Sequence, residues 1–224
     1  MSNLPPIVTK SDFVAVKKGG EEALRSRFIP FIRELHMFLN RLPCLADLQD
    51  ARKKWKSRVK YQQAFGENCG FGPNHWYTFN NGGRNESQFN IALLTTHFRI
   101  GLGFEFTHKN WGKPSATVLA YACFLQVIKN DLKSFHQLLN ENSLEVEWVS
   151  ANNTNELKFI STKDVSQCLM QLSSEPTWIF IGRLLRPETD LKITQDASQL
   201  KEIIESVFSG FRPIWEKTQE MAAI

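Results

Sequence analysis

Residues 97–106 read His-Phe-Arg-Ile-Gly-Leu-Gly-Phe-Glu-Phe, and they hold the clearest two-residue period in the chain. Apolar side chains occupy every second position from Phe98 onward, while Arg99, Gly101 and Gly103 lie between them. Successive side chains of a β-strand point to opposite faces of a sheet. The alternation therefore predicts a strand with one apolar face and one nearly bare face.

Other strands and helices are predicted outward from this stretch. Strands are expected at 75–80 and 87–94, separated by the turn signal Asn81-Gly82-Gly83, and further along at 144–150, 156–161 and 177–185. Helical spacing of apolar residues predicts helices at 21–42, 45–62, 114–139, 163–172 and 198–215. The third of these helices is predicted from the apolar residues Val118, Ala122, Leu125, Leu132, Phe135 and Leu139. Mixed helices and hairpins indicate an α+β fold, with a mostly antiparallel twisted sheet flanked by amphipathic helices.

Length and composition favour one domain. The chain has 224 residues, of which 42% are hydrophobic and 17 are phenylalanine, enough for one sizeable core. We expect a polar lead-in at 1–18, a helical subregion at 21–62, and a sheet with its packing helices at 70–224. No apolar run reaches the length that spans a bilayer, and the N-terminus does not resemble a signal peptide. A cytoplasmic protein that makes no membrane contact is therefore expected.

Motifs for catalysis and cofactor binding are sparse. The four cysteines and five histidines are scattered without metal-ligand spacing, and the glycine-rich stretch at 66–72 is not followed by the Gly-Lys-Ser/Thr of a phosphate-binding loop. The G-x-S-x-G motif of a serine hydrolase is also missing. The sequence therefore predicts a binding protein without catalytic residues, metal or cofactor.

One pattern leaves an enzymatic alternative open. Glu145 and Glu147 precede Glu156 and Lys158 across a predicted hairpin, in the rough order by which restriction-type nucleases hold magnesium and activate water. Carboxylates on adjacent strands can share an ion, and a lysine can stabilise the charge that develops. Alternating acids and lysines are also typical of the solvated face of any hairpin, so both interpretations remain at this point.

Positive charge is concentrated in one segment. Residues 52–60 hold six cations and no acid: Arg52, Lys53, Lys54, Lys56, Arg58 and Lys60. A helix of this kind can neutralise several phosphates. The alternatives are an exposed amphipathic helix whose Trp55 faces the core, or an adaptor that binds an acidic protein.

Aromatic residues follow the basic segment directly. Residues 65–79 combine a glycine loop carrying Phe71 with a strand that contains Trp76 and Tyr77. An aromatic side chain on such a loop can wedge into a base stack, and a ring on the strand can support an unstacked base. A purely structural role in the core is the other interpretation, and alternation along the strand predicts that at least one aromatic pair is buried.

The stretch from Gly70 to Phe106 resembles the N-terminal DNA-recognition domain of McrB-type modification-dependent restriction proteins. The shared features are a glycine loop that carries an aromatic residue, a strand that begins near a tryptophan, a Gly-Gly turn, and two further strands that follow the turn. The segment 211–215, Phe-Arg-Pro-Ile-Trp, after an amphipathic helix is similar to how that domain closes. The resemblance covers about half of the chain. Asn80 and the polar insert 84–87 depart from the family pattern.

The resemblance implies a phage-defence protein that binds double-stranded DNA, flips a modified cytosine such as 5-methylcytosine out of the duplex, and works beside a separate motor or nuclease. It assigns Phe71 to the gap left by the flipped base. Pocket-lining positions are Trp76, Phe89 and Leu93 by resemblance, joined by Tyr77 as a platform and by Asn80 and Asn90 as amides for the base edge. Expected contacts to the DNA backbone are Arg52, Lys53, Lys56, Lys60 and Arg84, and the bare strand face at Gly101 and Gly103 leaves room for a sugar-phosphate chain.

Overall fold

The structure of the protein, a computed structural model, describes residues 8–18, 38–39, 41–47, 49–50, 75–80, 87–94, 96–106, 116–150, 153–160, 169 and 176–223. At 15–18, 49–50, 75–80, 105, 116, 149–150, 153–160 and 176–177 it describes the backbone. Within this part of the chain, every helix is too short or too polar to cross a membrane.

Strands and helices come in separate runs along the described chain, which is an α+β fold. The helices are α1 (Lys10–Lys18), α2 (Ala116–Asn130), α3 (Leu132–Glu141), α4 (Leu191–Gln195) and α5 (Ala197–Ala222), with a 3-10 turn at Pro43–Leu45. The strands are β1 (Gln49–Asp50), β2 (His75–Asn80), β3 (Gln88–Leu93), β4 (Phe98–Glu105), β5 (Glu145–Ser150), β6 (Asn153–Ile160) and β7 (Pro176–Leu185). The predicted fold class is therefore confirmed.

The described strands form one sheet in the order β1-β2-β3-β4-β7-β5-β6. β1 pairs antiparallel with β2, and β5 pairs antiparallel with both β6 and β7. The connection from β3 to β4 is closed by a hydrogen bond from the Leu94 N–H to the His97 carbonyl at 2.9 Å. So short a connection requires an antiparallel hairpin, because a parallel crossover needs a dozen or more residues.

Contacts divide the chain into two compact units. Unit 1 comprises residues 1–82, 90–100 and 184–205, and unit 2 comprises 83–89, 101–183 and 206–224. β3, β4, β7 and α5 each contribute residues to both units.

The core of unit 2 is built from aromatic rings on strands and helices. The ring of Phe104 on β4 lies 5.1 Å from both Tyr121 and Phe124 of α2, and Phe124 lies 6.0 Å from Phe135 of α3, measured between centroids. These distances fall in the range of edge-to-face and tilted packing, which adds to the free energy gained by burying the rings. Phe104, one of the regular apolar positions of β4, thus lies against α2.

The N-terminal part of unit 1 contains structure where a polar lead-in was predicted. α1 begins after Thr9, whose N–H and hydroxyl both donate to the Asp12 carboxylate, at 2.6 and 2.9 Å. These two hydrogen bonds offset the cost of burying the Asp12 carboxylate. The Val8 N–H donates to the Thr194 carbonyl at 3.1 Å, and the Thr194 hydroxyl donates back to the Val8 carbonyl. The lead-in is therefore tied to α4.

Three sequence-based predictions of helices were wrong in part. The helix expected at 45–62 is contradicted at its start, where β1 forms an edge strand at Gln49–Asp50. The helix expected at 114–139 is two helices, because Asp131 interrupts it and caps α3 by accepting from the Ser134 N–H at 3.1 Å. The final helix runs on to Ala222, seven residues past its predicted end at Trp215.

The apolar set predicted for this helix is buried at Phe135 and Leu139 on α3 but not at Val118 and Ala122 on α2. Val118 is 45% exposed and Ala122 is exposed, whereas Tyr121 and Phe124 are buried. The first ten residues of α2 are uncharged and mostly apolar on every side, so apolar spacing did not distinguish the buried face from the solvent face.

Candidate nucleic-acid interface

The predicted contacts to the DNA backbone lie outside the described residues. These are Arg52, Lys53, Lys56, Lys60 and Arg84, together with the wedge residue Phe71. The structure does describe residues 49–50, just before the basic segment in the sequence. β1 ends at Asp50, two residues before Arg52, and its register pairs Gln49 with Asn80 and Asp50 with Phe79. The described chain at Asp50 therefore lies beside β2, two residues before the basic segment in the sequence.

β2 is the strand that carries Trp76, Tyr77 and Asn80. Its described backbone spans His75–Asn80, the same six residues that the sequence predicts. β2 lies between β1 and β3 in the sheet. Three of the predicted pocket residues are thus on a strand between β1, which ends two residues before Arg52, and β3, which carries the remaining pocket positions.

Phe89 and Leu93, on β3, are buried. The Phe89 ring lies 5.2 Å from Phe208 and 5.9 Å from Trp215, both on α5. Alternation along β3 places Phe89, Ile91 and Leu93 on one face. In this arrangement the Phe89 ring is a packing contact for α5, and its role in a base pocket stays a prediction.

Asn90 points to the other face of β3 and is hydrogen-bonded to β4. The Arg99 Nε donates to the Asn90 Oδ1 at 3.0 Å, and the two residues are 1% and 8% exposed. The sequence analysis named Asn90 as a base-edge amide but did not name Arg99. A signal was present, because Arg99 is the sole cation in the alternating stretch and lies on its glycine face.

The bare face of β4 is not open to a sugar-phosphate chain at Gly103. A Cβ atom on Gly103 would lie 2.6 Å from Cη2 of Trp178, whose ring fills the space that a side chain would take. At Gly101 a Cβ would overlap the Ile181 carbonyl oxygen. The glycines are there because β7 approaches β4 closely, which corrects the expectation that they serve a ligand.

The C-terminal helix holds the start of β3. The Trp215 Nε1 donates to the Ser87 carbonyl at 3.4 Å, and the Gln219 Nε2 contacts the Ser87 hydroxyl at 3.0 Å. The Arg212 guanidinium stacks over the Trp215 ring at 5.0 Å. Ser87 ends the polar insert that includes Arg84, so α5 fixes one end of that insert.

The residues of the alternative nuclease site are offset across β5 and β6. Glu147 is fully buried, and its cross-strand partners are Phe159 and Phe180. Lys158 is paired with Trp148 instead. Directly opposed positions share a face, and consecutive positions alternate. The register therefore separates position 158 from the face of Glu147.

Comparison with known proteins gives no family assignment. No protein-family model matches the chain, and no curated protein matches its sequence. Any functional proposal has to rest on the residues of the chain itself.

Proposed function

We propose that this chain is the DNA-binding specificity module of a modification-dependent restriction system. It binds double-stranded DNA and flips a modified cytosine, such as 5-methylcytosine, into a pocket at β2 and β3. It acts in the cytoplasm in phage defence, beside a separate motor or nuclease that cuts the DNA.

The pairing of β1 with β2 is the observation that carries this proposal. It places Asp50, two residues before Arg52 in the sequence, next to Phe79 on the strand that bears Trp76 and Tyr77. Six cations in nine residues supply a local charge that the net charge of +4 for the whole chain does not reveal. Binding to a polyanion depends on such local clusters.

Base flipping requires both the basic segment and the aromatic strand, because the cost of extruding a base has to be offset by binding to phosphates. Extruding a base costs a few kcal/mol in lost stacking and pairing. Each phosphate neutralised by a lysine or arginine releases counterions and contributes binding free energy that depends on salt. In the proposal, Arg52, Lys53 and Lys56 supply this term, and ring systems on β2 receive the base.

A direct test compares two duplexes at two salt concentrations. Binding of a duplex with a single 5-methylcytosine and of its unmodified counterpart is measured by fluorescence anisotropy at about 50 and about 200 mM salt. We expect tighter binding of the modified duplex and a steep fall in affinity with salt for both. Magnesium and plasmid DNA are added in a parallel assay for cleavage.

Two variants separate general affinity for DNA from the preference for modified DNA. Lys56→Ala should weaken both duplexes alike and lower the slope of log affinity against log salt by about one. Trp76→Ala should reduce the preference for modified DNA more than the general affinity. Lys133→Ala, an exposed lysine on α3, is the matched control and should bind like the wild type.

Three outcomes would reject the proposal. Equal losses in Lys56→Ala and Trp76→Ala would reject the pocket. Cleavage that disappears in Glu156→Ala would establish the nuclease alternative. Indifference to both DNA and salt would leave a protein-binding adaptor.

A further inference from the structure

A surface cleft of about 440 Å³ lies between the junction of α2 with α3 and the last turns of α5, entirely within unit 2. Its volume falls in the range of ligand sites. Residues at i, i+3 and i+4 share one face of a helix, and two such faces meet here. The lining side chains are Val127, Asn130 and Asp131 on one side, and Lys217, Glu220 and Met221 on the other.

Two of the lining residues are apolar and lie at different depths. Val127 is 8% exposed and belongs to the core, whereas Met221 is 38% exposed and stands at the surface. Methionine adapts to differently shaped partners and is frequent at binding surfaces. The apolar part of an incoming side chain therefore finds a fixed contact at the bottom of the cleft and an adaptable one at its edge.

The charged groups of the cleft are two carboxylates and one ammonium. Hydrogen bonds from Ser134, and to a smaller extent the charge of Lys217, hold the pKa of the Asp131 carboxyl below its ordinary value. Glu220 is exposed and makes neither a hydrogen bond nor an ion pair with any residue that the structure describes. The C-terminal end of α2 adds a partial negative charge. The cleft is thus net negative in a chain whose net charge is +4.

This combination of groups matches the side chain of arginine. A guanidinium donates N–H groups from a planar fork to carboxylates, and its aliphatic stem packs along apolar surface. A phosphate would be repelled by Asp131 and Glu220, so the cleft does not suit a contact with the DNA backbone. An amphipathic helix needs a continuous apolar groove, which Val127 and Met221 alone do not form.

We propose that the cleft receives an arginine side chain presented by a protein partner, with the guanidinium at Glu220 and Asp131 and the stem against Val127 and Met221. Arginine is enriched among the residues that carry the binding energy of protein–protein interfaces. The exposed positions of Glu220 and Met221 leave the cleft open to a loop of such a partner. β2 and β3 contribute no residue to the lining, so this site is separate from the proposed base pocket and does not depend on it.

The test uses N-acetyl-arginine amide, which carries the guanidinium and no other charge. The chain has four methionines, so methyl-labelled methionine gives a short NMR spectrum in which Met221→Leu identifies the Met221 signal. The probe should shift this signal and saturate with a millimolar dissociation constant. N-acetyl-citrulline amide has nearly the same shape without the charge and should leave the signal in place. No shift with the arginine probe, or equal shifts with both, would overturn the proposal.

Substitutions in the cleft test the role of its charges. Glu220→Gln keeps the shape of the side chain and should weaken binding of the arginine probe about threefold, the scale of a partly exposed ion pair. Lys217→Gln removes a competing cation and should tighten binding. Glu202→Gln, at an exposed position of α5 outside the cleft, is the matched control and should bind like the wild type. Equal affinities of Glu220→Gln and the wild type would reject the assignment.

Three further probes distinguish other occupants of the cleft. A Gly-Arg-Gly peptide with blocked ends should bind at least as tightly as the arginine amide, because the main chain of a partner continues on both sides of its arginine. Tighter binding of free arginine than of both blocked probes would indicate a site for a free amino acid, whose carboxylate Lys217 binds, and would reject a protein partner. Inorganic phosphate should leave the Met221 signal unchanged, and a saturable shift would reveal an anion site and overturn the proposal.

Discussion

Helices α5 and α2 both pack on the sheet, yet the buried face can be predicted from the sequence only for α5. On α5 the buried positions include Leu200, Ile204, Phe208, Phe211 and Trp215, at helical spacing, and charged or polar residues fill most of the other positions. On α2 apolar residues occur all around the first ten positions, and Val118 and Leu119 remain 45% and 49% exposed.

The difference shows what an apolar period can and cannot predict. A periodic pattern locates a buried face because polar residues mark the opposite one. Without that contrast the pattern predicts a helix but leaves its orientation open. On α2 the orientation is set by tertiary contacts, among them those of Tyr121 and Phe124 with Phe104.

The largest expected effect comes from truncating the central ring of each helix. Phe208→Ala on α5 and Phe124→Ala on α2 each remove a fully buried ring. Each should lower the free energy of unfolding by about 3 to 5 kcal/mol, the range for deleting a core phenylalanine. Urea unfolding monitored by circular dichroism measures both.

This pair is also a direct check on the comparison. The contradicting result is a fall in the free energy of unfolding of several kcal/mol for Phe208→Ala beside a fall of less than about 1 kcal/mol for Phe124→Ala. That result would mean that Tyr121 and Phe124 do not lie on the buried face of α2.

A smaller effect is expected at Tyr121, whose hydroxyl donates to the Leu169 carbonyl at 3.0 Å in a buried setting. Tyr121→Phe keeps the ring contacts and removes this hydrogen bond. The free energy of unfolding should fall by about 0.5 to 1.5 kcal/mol. An unchanged midpoint in urea would show that the hydrogen bond does not hold Leu169 against α2 in solution.

The break between α2 and α3 gives a pH-dependent prediction. The hydroxyl and the backbone N–H of Ser134 hydrogen-bond to Asp131 and lower the pKa of its carboxyl below the ordinary value of 3.8. A lowered pKa in the folded state means stability that is present above 3.8 and is lost as the pH falls through the folded-state value. Asp131→Asn keeps a capping side chain but does not titrate.

The measurement is the difference in melting temperature between the wild type and Asp131→Asn at pH 6 and at pH values below 3.8. The difference should favour the wild type at pH 6 and shrink in acid. A constant difference across this range would mean that the Asp131 charge does not contribute to the cap. Asp131→Ala, which lacks a capping group, should be less stable than the wild type at pH 6.

Much of the sheet could be predicted from the sequence. The extent of β2 was predicted to the residue, and β3, β4 and β7 to within one residue at each end, because turns and apolar alternation bound them. β1 could not be found this way, since two residues carry no period. The division at Asp131 could have been suspected from its capping side chain, but the apolar spacing continues through it.

The candidate site was less predictable than the fold. Asn90 was identifiable as an amide on a strand next to the aromatic segment. The Arg99 contact was not, because it depends on the register of the hairpin, which the strand pattern does not give. Gly103 was misread for a related reason, since the Trp178 ring that covers it comes from a strand more than seventy residues away.

The smallest expected effect lies on the exposed face of α2. Leu119→Ser replaces an apolar side chain that is 49% exposed, so little buried area is lost and the free energy of unfolding should change by no more than about 0.5 kcal/mol. Urea unfolding of Leu119→Ser beside Phe124→Ala gives the contrast between the two faces of one helix. A loss above about 1 kcal/mol in Leu119→Ser would mean that the folded chain covers this face, and that α2 is buried on both sides.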